Sequence, residues 1–133
     1  MIHLKRAYEP AEKTDGCRVL VERLWPRGLR KADAHLDDWL KDVAPSTELR
    51  RWFGHDPSRF SEFRERYKRE LRSEPARTAL AALARRAARG TVTLVYSAHD
   101  EAHNNAVVLA RELQRRRARS LSPIKRARAA AAR

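Results

Sequence analysis

Three stretches of the chain collect residues able to do chemistry. In the first, His99-Asp100-Glu101-Ala102-His103, two imidazoles stand four residues apart. On a helix that spacing lets two histidines share a metal, as in zinc proteases, where glutamate follows the first histidine. Here Asp100 follows it, no third ligand comes at a useful spacing, and His99 is expected to precede the regular helix, so no metal is expected. A polar use fits better. Ser97 or Asp100 caps the helix, and its free N–H groups, with Asn104 beside them, hold an anion. The bland alternative is that Asp100 and Glu101 satisfy those N–H groups themselves. His99 is the candidate general acid or base, since imidazole titrates near neutral pH.

The second stretch is Arg23-Leu24-Trp25-Pro26-Arg27-Gly28-Leu29-Arg30-Lys31. Guanidinium groups bind phosphate or carboxylate through paired N–H donors. Arg23, Arg27 and Lys31 are the candidate anion-binding residues. Arg23 shares a strand face with Val19 and Val21, and a buried arginine needs a partner. That partner is either a ligand anion or an internal acid such as Glu22 or Asp37. The glycine spacing is not that of a phosphate-binding P-loop. The third stretch is Trp52-Phe53-Gly54-His55-Asp56-Pro57. Gly54 and Asp56-Pro57 read as a helix stop and a helix start, which leaves His55 without a structural task. Trp25 and Trp52, with His55, are candidate pocket walls. Cys17, the only cysteine, reads as packing rather than as a nucleophile.

Hydrophobic patterning supplies the elements that must position these residues. Ile2 to Tyr8 alternates as a short strand. Cys17 to Trp25 is apolar on both faces, as in a covered central strand. The loop between them is too short for a helical crossover between adjacent parallel strands. The two strands therefore either pair antiparallel or are not neighbours. Leu36, Trp39, Leu40 and Val43 recur at helical spacing and predict a helix over Ala34 to Val43, with Asp33 at its N-cap. Short helices follow from Ser46, from Asp56-Pro57 and from Ser73-Glu74-Pro75. Thr91 to Ala98 is the clearest strand, and a helix is expected from Asp100 to Arg117. The long helical connection from the second strand to the third favours parallel pairing. Trp25-Pro26-Arg27 and Ser97 to Asp100 would then face one crevice at the strands' C-terminal ends, where α/β proteins hold their ligands.

Composition sets the outer bounds. A chain of 133 residues with 42% hydrophobic content can bury one core. One cysteine and a charged opening without an apolar run suggest a cytoplasmic setting and no secretory leader. No run approaches the roughly 20 apolar residues of a membrane span. Net charge is +13, and residues 115–133 hold eight cations and no acid. Residues 1–114 are expected to form one α/β domain, and 115–133 a basic tail, flexible or helical. Such a tail can hold nucleic acid by phosphate contacts, or be a solvated arginine-rich end.

Arg23-Leu24-Trp25-Pro26-Arg27-Gly28, Pro45-Ser46-Thr47-Glu48-Leu49-Arg50, Trp52 to Pro57, and Leu94 to Ala98 with Asn105-Ala106 together resemble the YeaO-like family of small bacterial proteins, catalogued as domain of unknown function 488. The resemblance covers about Ile2 to Leu113 and implies a compact α/β domain, with no agreed activity. Neither a glycine-rich methyl-donor loop nor a helix-turn-helix accompanies it.

The expectation is a small, largely parallel sheet of about three strands with helices on both faces and a basic C-terminal tail. It would bind a small anion, a nucleotide or phosphorylated metabolite, with no cofactor, no membrane partner and no implied oligomeric state. Acid/base catalysis by a histidine would accompany binding. The alternative is a non-catalytic nucleic-acid-binding accessory protein that uses the arginine loop and the tail.

Overall fold

A computed structural model describes residues 1–117. The expected tail from 118 onward lies outside the described residues. Four parallel strands, β1 (Ile2–Arg6), β2 (Cys17–Leu20), β3 (Asp38–Trp39) and β4 (Val92–Tyr96), form one sheet in the order β1-β4-β2-β3. The helices are α1 (Lys31–Ala34), α2 (Thr47–Phe53), α3 (Phe60–Leu71), α4 (Ala76–Arg89) and α5, residues 105–117. None of the described helices is long and apolar enough to cross a membrane.

β4 is central because every one of its residues is buried, as its Val92-Thr93-Leu94-Val95-Tyr96 sequence requires. It inserts between β1 and β2 and pairs with both in parallel. The first two strands are therefore not neighbours, which is how their short connection is reconciled with a parallel sheet. One sheet face carries Val19, Val21, Val92, Leu94 and Tyr96 into the main core, against Leu49, Phe53, Phe63, Tyr67, Leu80, Leu83 and Leu109 of α2 to α5. Full burial of each such side chain contributes about 1.5–3 kcal/mol. The Tyr67 hydroxyl donates to the Val43 carbonyl inside this core, and burial pushes its phenol well up from its ordinary value. The other face is covered more thinly. Leu20, Val95 and Ala7 pack there under Trp25, Leu29, Leu36 and Trp39, beside the one-turn α1.

The stretch expected to be one helix over Ala34 to Val43 is not. α1 ends at His35, in a left-handed conformation. Asp37 N–H then donates to Arg18 O and Leu40 N–H to Leu20 O, building the two-residue edge strand β3. The i, i+3, i+4 pattern was a false signal, because open ladder groups of β2 outcompeted a short helix with weak caps. Arg30, not Asp33, occupies the N-cap position. The sheet consequently has four strands rather than about three. Ser46 does cap α2, accepting from Leu49 N–H at 3.1 Å, and Asp56 accepts from Ser58 N–H at 3.0 Å ahead of α3. Ser73 does not cap α4, where Pro75 takes that place.

A charged cluster locks the start of β2. Asp15 is buried and accepts from Arg18 at 2.7 Å and from Lys5 at 3.1 Å. Arg18 also donates to the carbonyls of His35 and Ala34. Burial pushes the Asp15 carboxyl up, but Glu12 N–H and the Lys5 and Arg18 cations outweigh it, leaving it below its ordinary value. A carboxyl so held stabilises the fold above its ordinary pKa and loses that contribution as pH falls through the folded one. Urea midpoints of the wild type should therefore fall steeply on acidification below 3.8, the ordinary aspartate value. Asp15→Asn should be less stable at pH 7 and show a flatter acid limb. Gly16, next in the chain, has φ +62°, and a Cβ there would lie 2.3 Å from Thr91 O. Gly16→Ala should cost about 3 kcal/mol or more, read as a drop in Tm on the order of 10 °C.

Candidate functional site

Parallel pairing of β2 with β4 puts both C-terminal ends on the same edge of the domain. The ladder is handed over there from backbone to side chains. Val21 N–H still donates to Val95 O at 3.2 Å. The Val21 carbonyl then accepts from the Asn105 side chain at 2.8 Å. One residue on, both Glu22 carboxylate oxygens are used: Oε1 accepts Ser97 N–H at 2.8 Å and Oε2 accepts the Ser97 hydroxyl at 2.7 Å. With its partners supplied by side chains, the chain leaves the sheet at Leu20, short of the expected Trp25.

This departure opens a cleft of about 400 Å³, within the range of about 300–1,000 Å³ usual for small-molecule sites. Arg23, Trp25, Arg27, His55, Ser97 and Asn104 all line it, joined by Glu22, Arg50, Phe53 and Asn105. Arg23 is half-buried and donates to Pro45 O at 2.9 Å and Ala44 O at 3.4 Å. These carbonyls, rather than the expected acid, fix its guanidinium. Among the described residues no carboxylate forms an ion pair with Arg23, Arg27 or Arg50. Trp25 is pinned by its own N–H, which donates to Leu29 O at 2.5 Å, and by an edge-on contact with Trp39 at 5.4 Å. Phe53 stacks on Phe63 at 4.3 Å and forms the buried side of the wall.

Lys31, Trp52 and His99 are not among the lining residues. Lys31 is exposed on α1, whose C-terminal carbonyls bind Arg18 from the thinly covered face. Trp52 is engaged instead by the guanidinium groups of Arg59 and Arg66, 5.4 and 4.3 Å from its ring centre. His99 is exposed on the β1 side of β4, with Nδ1 3.4 Å from Arg6. Arg6 holds that turn by donating to Ala98 O and Ser97 O.

The turn after β4 is longer than expected, and α5 begins at residue 105 rather than at Asp100. Asp100 keeps the N–H groups of Ala102 and His103 for itself, each at 2.9 Å, and faces His103 Nδ1 at 2.9 Å. The His103 ring and those N–H groups hold the Asp100 carboxyl below its ordinary value. Asn104 is the true cap: its Oδ1 accepts Val107 N–H at 3.1 Å, and its amide donates to Asp100 O at 2.9 Å. The two asparagines divide the work, one capping α5 and the other tying α5 to Val21, the residue after β2. Among the described residues no three His, Cys, Asp or Glu side chains gather into a metal-sized group. Glu22 and Arg50 are cleft residues that the motif reading passed over. An acid just past the C-terminal end of a central strand, where α/β proteins hold their ligands, was the available signal for Glu22.

A model of the family described as "Inactive DUF488-N3 subclade" matches residues 1–130. "Uncharacterized protein YeaO" of Escherichia coli (strain K12) is 46% identical over 110 residues, covering 82% of this chain and 93% of that protein. "Uncharacterized protein Rv3073c" of Mycobacterium tuberculosis (strain ATCC 25618 / H37Rv) is 45% identical over 115 residues, 86% of this chain and 95% of its own. No solved structure matches the chain.

Because both polar ends of Asn104 are used within the fold, Asn104→Ala should behave as a cap deletion. It should cost about 1–2 kcal/mol, measured as a lower urea midpoint at unchanged m-value.

Proposed function

The chain belongs to the YeaO-like DUF488 family, in the subclade described as inactive, and we propose that it is a ligand-binding domain whose cleft holds a small anion without a catalytic step. The ligand is a nucleotide or phosphorylated metabolite, seated at the C-terminal ends of β2 and β4. The observation that carries this reading is Arg23. It is half-buried, oriented by two carbonyl oxygens and unpaired with any carboxylate among the described residues, and it shares a concave surface with Arg27 and Arg50. A guanidinium removed from water without a counterion favours an incoming anion. The Trp25 and Phe53 side of the cleft offers apolar surface to the rest of the ligand.

Two points support binding without catalysis. His99 stands outside the cleft beside Arg6, so the only lining histidine is His55, exposed and free of a carboxylate partner within hydrogen-bond reach among the described residues. Among the described residues the one lining carboxylate is that of Glu22, and both of its oxygens already accept hydrogen bonds from Ser97. The subclade's description as inactive accords with this.

The test is calorimetry and thermal shift with inorganic phosphate, adenosine 5′-monophosphate and ribose 5-phosphate. A ligand at a hundred times its Kd stabilises by about 2.7 kcal/mol. Arg23→Ala should weaken binding about tenfold to a hundredfold, since a hydrogen bond to a charged group contributes about 1.5–3 kcal/mol. Removal of residues 118–133 should leave it intact. If instead binding is confined to nucleic acid, falls steeply with salt and goes with the tail, the accessory-protein alternative replaces this reading.

A further inference from the structure

His55 lines the cleft in a backbone conformation that glycine would adopt more easily. Its φ is +56°, directly after Gly54 at +55°. Glycine enters that left-handed region without the Cβ clash that other residues carry. The turn is closed on either side of the histidine, by Gly54 N–H to Arg50 O at 3.1 Å and by Asp56 N–H to Phe53 O at 3.0 Å. The His55 ring is exposed, and no carboxylate pairs with it among the described residues. A side chain set against its backbone preference at the wall of a cleft points to a task in that cleft. The charges around it define the task. Arg23 and Arg27 come from the segment after β2, and Arg50 from α2. Glu22 is bonded to Ser97. Asp56, next in the chain, accepts from Ser58 N–H at 3.0 Å and the Ser58 hydroxyl at 2.7 Å, with Arg59 at 3.6 Å. His103 faces Asp100 at 2.9 Å. Among the described residues the imidazole therefore shares the cleft with three guanidinium groups and no unengaged acid.

On the anion-binding reading above, we propose that His55 contacts the bound anion and makes its binding proton-linked, so that the cleft holds a dianion more tightly as the solution turns acidic. The neutral ring offers the ligand a single N–H, whereas the protonated ring offers N–H donors on both nitrogens and adds a fourth cation to the three guanidinium groups. In the empty cleft those guanidinium groups give a second ring proton nothing to pair with. A bound dianion reverses this, because an opposite charge favours the charged form of its neighbour. Binding then takes up a proton, and Arg23, Arg27 and Arg50 supply the part of the affinity that does not vary with pH.

The test titrates the full chain with sulfate and with adenosine 5′-monophosphate by calorimetry at about pH 5.5 and about pH 8, the range over which imidazole changes charge. Sulfate keeps both its charges throughout, so a change in its affinity belongs to the protein. Wild type should bind sulfate at least about fivefold more tightly at the lower pH, the effect of one added charge in contact with the ligand. His55→Asn tolerates the left-handed backbone and has no proton to take up, and it should show no such gain. The phosphate of adenosine 5′-monophosphate titrates in the same range, so there the advantage of wild type over His55→Asn is read, and it should widen on acidification. His55→Gly should melt no lower than wild type yet bind sulfate more weakly at the lower pH. A His55→Gly that loses stability along with affinity marks a structural role and overturns the proposal. Equal sulfate affinity of wild type at both pH values overturns it too, as does a gain that persists in His55→Asn. The anion-binding reading survives these results if Arg23→Ala still removes binding. Binding of neither probe at either pH overturns both.

Discussion

The architecture depends on a four-residue parallel ladder between β2 and β4, Cys17 with Val92 through Leu20 with Val95. Backbone bonds extend it at either end, Cys17 N–H to Thr91 O and Val21 N–H to Val95 O. A parallel pair must send the chain back across the sheet before the second strand begins. That return runs through α1, the edge strand β3 and then α2 to α4, and in making it the chain builds the core between helices and sheet. The same pairing places both C-terminal ends together, so Glu22 to Arg27 and Ser97 to Asn105 meet, with Glu22 bonded to Ser97 75 positions further along the chain. The cleft follows from strand direction.

Arginine is the commonest tool for holding the loops around that ladder. Arg18 donates to the carbonyls of His35 and Ala34, Arg23 to those of Pro45 and Ala44, and Arg6 to those of Ala98 and Ser97. Each guanidinium grips two consecutive carbonyl oxygens in a segment beside a strand. The planar fork of donors suits this use, and a lysine would supply one flexible point instead. Carbonyl groups in loops have no ladder partner, and leaving them buried and unpaired is costly. Part of the high arginine content therefore serves the backbone. Arg18 also has an acid, Asp15. Arg23 does not, among the described residues, and that difference separates a structural pin from a candidate binding group.

Much of the fold was legible from local pattern. The buried run Val92 to Tyr96 read as a strand because apolar residues on both faces leave few alternatives. Ser46, Gly54 and Asp56-Pro57 read as helix boundaries because their effects act within a few residues. Failures came where a distant partner decided. Leu36, Trp39, Leu40 and Val43 have helical spacing, but the N–H of Leu40 found the carbonyl of Leu20. Asp100 looked like a helix start, yet its carboxylate satisfied the following N–H groups and delayed α5 to Asn104 and Asn105. His99 sat in the right segment but turned toward β1, which nothing in its own neighbourhood revealed.

The sequence by itself determined the α/β class, the family, the central strand and the two segments that converge on one edge. Those depend on periodicity, caps and the length of the connection between strands, all properties of contiguous residues. Tertiary structure decided the rest. It paired Glu22 with Ser97, gave Arg23 carbonyl oxygens in place of an acid, and assigned Asn104 to the helix cap and Asn105 to the sheet. Each of these is a hydrogen bond between groups brought together by folding, and competition among such partners is settled only when the competing donors and acceptors share one space.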